Sequence, residues 1–152
     1  MRENRRAVAA ALALACLPFV SLADEASDGR LQPCCNARVD AYRNFTRQLL
    51  ANCSRWVEVR YRESISIVNA QKLSGCIATG MQDSRLQLEA ALRGVRRKAA
   101  RSALRSYQIS FESALAGVAP TTDEPAAAYD QRQSSLRHQL AHAWTRFELE
   151  ES

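Results

Sequence analysis

The residues whose types and spacing could do chemistry are four cysteines, a histidine pair and a run of arginines. Cys34 and Cys35 stand side by side in "LQPCCNARVD", and Cys53 and Cys76 follow further along. Thiols in this number form disulfides in an oxidising compartment, or hold a metal. His138 and His142 stand at i and i+4, the spacing that lets one helix offer two metal ligands. Each lies two residues past a leucine, Leu136 or Leu140, about 200° round the helix and hence on its outer face. No carboxylate sits at a third position, so solvated surface histidines are expected, and metal carriage with the thiols is the weaker reading. In "RGVRRKAARSALR" six cations fall between residues 93 and 105 with no acid among them. Arg93, Arg97, Arg101 and Arg105 repeat at i+4, which on one helix makes a basic face for an acidic partner surface, or else a solvated outer face. No glycine-framed nucleophile, dense carboxylate pair or phosphate-cradling loop accompanies them, so neither enzyme activity nor a cofactor is expected.

The compartment decides what the thiols do. Arg2, Arg5 and Arg6 precede an apolar run, Ala7 to Val20, that is too short to span a bilayer at about 20 residues. "Ser21-Leu22-Ala23" then offers small side chains at a cleavage site, so residues 1–23 read as a secretory signal peptide. Cys16 after Ala13-Leu14-Ala15 offers the alternative of a lipoprotein anchored there. The formal charge of the whole chain is +5; removing residues 1–23 takes away three arginines and one glutamate, leaving +3 on 129 residues. That mild basicity falls short of a nucleic-acid-binding domain. Only Lys72 and Lys98 are lysine among 21 basic residues, a usage that suggests a high-GC bacterial genome and a periplasmic or secreted protein.

Behind these residues the hydrophobic periodicity predicts an all-α fold, a small antiparallel bundle of about three long helices stapled by disulfide. Residues 24–37 are expected to be extended and 38–150 to form the bundle domain. Val39, Tyr42, Phe45, Leu49, Cys53 and Trp56 mark the first helix face. Leu88, Leu92, Val95, Ala99, Ala103 and Tyr107 mark a second helix expected from about Met81 to Ala116. Gly117 to Pro125 is a loop in which Thr122 or Asp123 could cap the third helix. Tyr129, Leu136, Leu140, Ala143, Trp144 and Phe147 share one side of that third helix.

The cysteines test this picture. A single helix from residue 36 to 73 would hold Cys53 and Cys76 roughly 30 Å apart, whereas a disulfide needs Cα atoms about 5–6 Å apart. Between those poles "SISIV" alternates and is β-branched, which weakens a helix. If the helix ends near Arg62 and the following segment folds back, Cys53 and Cys76 can meet; a turn near Asn52 would instead bring Cys35 towards Cys76. Cys34 and Cys35 cannot both serve one helix face, so one of them is left for a partner chain, its neighbour or solvent.

Residues 49–92 carry a resemblance. "WVEVRYR" from Trp56 and "SGCIATGMQDSRLQL" from Ser74 are similar to segments of the periplasmic LprI-type lysozyme inhibitor family, whose members are small, exported, helical and disulfide-bonded. The match covers about a third of the mature chain, and here Cys53 precedes Trp56 where the family usually has a cysteine after that element. The resemblance implies that Cys53–Cys76 replaces the usual bond and that Trp56 and Arg85 are structural. The expected function is therefore an exported helical binding protein, an inhibitor or immunity-type factor meeting another envelope protein through an acidic surface on that partner. The alternative is a structural or assembly component of the envelope or a secretion apparatus, with possible homo-oligomers. Membrane contact is expected only through the signal peptide or a lipidated Cys16.

Overall fold

A computed structural model describes residues 36–60 and 64–152; the expected signal peptide, Cys16, Cys34 and Cys35 lie outside the described residues. Four helices and a short hairpin follow in order: α1 Ala37–Ser54, β1 Val57–Arg60, β2 Ser64–Ile67, α2 Ala70–Leu92, α3 Lys98–Ala116 and α4 Ala126–Glu151. The fold is mostly helical, as the periodicity predicts, but the described residues form four helices rather than three, and a two-stranded sheet.

Each departure has a local cause. The alternating "SISI" pairs as β2 against β1, with Val57 opposite Ile67 and Val59 opposite Ile65, so α1 stops at Ser54 and the chain turns back. Asn69 then starts α2 by accepting from the Lys72 amide at 2.8 Å, a side-chain cap for an otherwise orphaned donor. The helix expected from Met81 thus begins at Ala70, and it does not run through to Ala116. It breaks at residues 93–97, where the half-buried Arg101 of α3 reaches back and donates from Nη1 to the Leu92 carbonyl at 2.7 Å and to that of Val95 at 3.3 Å. Leu92 ends α2, so its carbonyl has no partner within the helix and accepts also from the Val95 amide at 3.3 Å; Val95 lies in the corner itself. Gly94 leaves room at this corner for Asn36: a Cβ there would lie 2.5 Å from Asn36 Nδ2, which donates to the Gly94 carbonyl at 2.9 Å and would have to move. The break also shifts the helical phase, so Ala100 and not Ala99 is buried. At the next loop Pro125 occupies the position before α4, rather than Thr122 or Asp123.

Successive helices run antiparallel. The Asn36–Gly94 bond ties the start of α1 to the end of α2, and Cys53–Cys76, with Cα atoms 5.7 Å apart, ties the end of α1 to the start of α2. Apolar residues form two clusters along the bundle. One gathers Val39, Tyr42, Leu92, Leu104, Tyr107, Trp144 and Phe147; the other gathers Cys53, Leu73, Phe111, Leu115 and Val118 around the disulfide. Between helices runs a polar seam absent from the apolar pattern. Tyr42 donates its hydroxyl to Gln108 Oε1, and Gln108 Nε2 donates to Ser84 Oγ at 2.9 Å and to Glu112 Oε1 at 2.7 Å. Arg85 closes the chain on Glu112 with two hydrogen bonds of 2.8 and 3.1 Å. Burial, then neighbouring Tyr107 and Glu112, raise the Tyr42 phenol far above its ordinary range, so it stays a neutral donor. Thr46 and Tyr107 share a second buried bond at 2.8 Å.

Candidate binding groove

The bundle packs α1 on α2, α2 on α3 and α3 on α4, but α1 and α4 do not pack along their length. Where a closed four-helix bundle would have a fourth seam, a groove runs between them over α3. At its narrow end Arg43 lies flat over Trp144, Cζ 4.3 Å from the ring centroid, and pairs with Glu148 at 3.3 Å. The Trp144 indole N–H also donates to Glu148, and Tyr107 meets the Trp144 ring edge-on at 5.1 Å. These contacts bridge the two helices there. Moving towards the hairpin, the groove opens through cavities of about 190, 360 and 690 Å³. The last is lined by Ser54 and Val57 on one side and by Tyr129, Asp130, Arg137 and His138 on the other.

Arginines from both walls line this groove. On α1 no acid occurs between Asp40 and Glu58, and on α4 none occurs between Asp130 and Glu148. Arg43, Arg47 and Arg137 therefore face the gap with no acid between them on their own helices, and Asp130 lines the wide end beside Arg137. Arg43 is engaged by Glu148, whereas Arg47 and Arg137 are exposed and form no ion pair with another described residue. Burial raises the Tyr107 phenol, against which the Thr46 hydrogen bond and the charges of Arg43 and Arg47 pull it down. Planar guanidinium groups on two walls suit carboxylates, which they bind bidentately.

The residues singled out by the sequence are distributed differently. Cys53 and Cys76 are bonded. Arg93, Arg97, Arg101 and Arg105 do not climb one helix, because the chain leaves the helix between Leu92 and Lys98. Arg93, Arg97 and Arg105 are exposed, Arg97 reaches the Glu150 carbonyl at 3.5 Å, and Arg101 is spent on the end of α2. His138 and His142 are both exposed on α4; His138 borders the wide end of the groove, and His142 borders a depression towards α3 with Ser106, Ser110 and Arg146. Among the described residues no three histidine, cysteine or acidic side chains gather to hold a metal. Lys72 lies over the half-buried Trp56 ring at 4.9 Å, and the exposed Arg85 pairs with Glu112. Set beside known protein families, characterised proteins and solved structures, the chain matches none. The groove therefore has to be read from its own chemistry. Its three arginines lie outside the basic run, and the signal for them in the sequence is the absence of acids on two separate helices.

Proposed function

We propose that the chain is an exported helical binding protein that holds an acidic surface of another envelope protein against the α1–α4 groove. The observation that carries this reading is the open seam itself, with Arg47 and Arg137 on opposite walls, neither in an ion pair among the described residues, over a partly apolar floor. Export is supported by the arginine-led apolar start of the sequence and by the Cys53–Cys76 bond, which fits an oxidising compartment. Among the described residues no helix is long and apolar enough to cross a membrane. The resemblance at residues 49–92 gives the reading its most specific form, an inhibitor or immunity-type factor against an envelope enzyme such as lysozyme. A surface of this kind steers an oppositely charged partner, so association should slow as salt rises.

The test is capture from envelope extract on immobilised protein, followed by identification of a stoichiometric partner and an assay of that partner's activity. Arg47→Glu with Arg137→Glu should abolish capture, while Arg93→Glu with Arg105→Glu should leave it. The reverse pattern would move the binding surface to the basic run at residues 93–105. The alternative, a self-associating assembly component, draws on exposed Ile67 and Val68 beside an apolar depression lined by Leu73, Ile77 and Met81. Sedimentation of the purified protein separates the two, since only the assembly component should form stable multimers.

A further inference from the structure

We infer that the occupant of the groove is a short acidic amphipathic helix presented by the partner, docking as the element that closes the bundle between α1 and α4. This rests on the binding reading above and names the ligand class that reading leaves open.

Backbone chemistry argues for a helix. Both walls are helices whose own amides and carbonyls are already paired, so they offer an extended peptide no ladder. Several of the polar side chains that could stand in are committed. Ser54 Oγ donates to the Leu50 carbonyl at 2.8 Å, Gln133 Nε2 donates to the Gly117 carbonyl, and Tyr129 donates to that of Val118 at 2.9 Å. Among the described residues, β1 brings Val57 to the groove, at its wide end. A helix carries its backbone hydrogen bonds within itself and asks nothing of these walls.

The lining argues for an apolar stripe flanked by acids. Leu50 and Ala51 from α1, Ala114 and Val118 from the end of α3 and its loop, and Leu136 from α4 make the deep part of the groove. Alanines on two of these elements let a further helix approach closely. Arg47 and Arg137 stand on the two rims, where carboxylates on either side of a leucine stripe would meet them. From Arg43 to Ser54 the α1 wall rises about 16 Å, which a partner helix of about 11 residues matches at 1.5 Å per residue. The Arg43–Trp144–Glu148 contact closes the narrow end and sets where such a helix must stop.

The experiment uses the full chain, exported and purified, against a panel of synthetic peptides of about 14 residues. The parent peptides carry leucines at i, i+3, i+4 and i+7 with glutamates on both flanks. One control set has a central proline and another has lysine for each glutamate. Isolated helices of this length are marginal in water, so docking should appear as a gain in helicity as well as a heat of binding. The expected result is that parent peptides bind and gain helicity, with at least about tenfold weaker binding for either control set. Arg47→Glu with Arg137→Glu should cost at least about tenfold, and the paired lysine substitutions should restore part of it, with circular dichroism confirming that each variant folds. Proline peptides that bind as tightly as the parents, without a helicity gain, would overturn the helix and leave the binding reading intact. Parents that bind no better than the lysine set would also overturn it. If the double glutamate variant still captures its envelope partner as well, the binding reading falls too.

Discussion

Opening the Cys53–Cys76 bond should cost the fold about 3.4 kcal/mol, since a sequence separation of 23 residues sets the closed loop in the chain-entropy model. The hairpin lies wholly inside that loop, so the bond fixes the end of α1, both strands and the first turns of α2 together. With an unfolding entropy of about 2.1 cal/mol/K per residue over the roughly 115 described residues, the loss should lower Tm by about 14 °C. The measurement is scanning calorimetry with and without reductant in a Cys34→Ser/Cys35→Ser background, so that only this bond responds. Thiol titration establishes complete reduction. A shift below about 4 °C with both thiols free would refute the reasoning, because it would mean that the hairpin and α2 are held in place without the loop being closed. Cys53 is fully buried and its neighbour Ser54 lines the wide end of the groove, so ligand affinity should fall on reduction as well.

Arg101→Ala should destabilise by about 1–3 kcal/mol in denaturant unfolding, because it strips charged hydrogen bonds from the end of α2. Arg93→Ala should stay within about 0.5 kcal/mol, as exposed substitutions do. Gln108→Leu should cost about 1–3 kcal/mol by leaving the buried Tyr42 hydroxyl without an acceptor. Combined with Tyr42→Phe it should cost less than the sum of the two single changes, which a double-mutant cycle measures. Arg132, with Thr121 assisting and burial opposing, holds the Glu124 carboxyl down from 4.5 to about 2. The stability this lends is present above the ordinary carboxylate range and is lost as pH falls from there towards 2. Tm followed from pH 6 to pH 2 should show that decline, and Glu124→Gln should flatten it.

Much of the fold was legible in the chain. The stripe of Val39, Tyr42 and Cys53, the loop from Gly117 to Pro125 and the stripe ending in Trp144 and Phe147 all depend on local periodicity, and each lies where that periodicity puts it. The thiol spacing called for a break between Cys53 and Cys76, expected near Arg62; α1 stops earlier, at Ser54, so Trp56 falls beyond it, and the "SISI" alternation, read only as weak helix, is a strand. The corner at residues 93–97 was not legible for a physical reason. Apolar Leu92 and Val95 continue the helical pattern across it, and its cap comes from Arg101, a residue of the next helix. The same hidden break made four arginines look like one basic face. The groove needed knowledge of a different kind, that α1 and α4 fail to close on each other. Periodicity reports that a helix has a buried side and says nothing about which neighbour covers it. The polar seam through Gln108 was equally hidden, because its partners lie 24 and 66 residues away.

The most direct test of the central claim is amide chemical-shift mapping on isotope-labelled protein titrated with the acidic leucine-stripe peptide. Perturbations confined to residues 43–57 of the α1 wall and 133–144 of α4, with the Trp144 indole N–H moving as saturation is reached, are the predicted result. Perturbations centred on Arg93, Arg97 and Arg105, with the groove unmoved, would contradict the account.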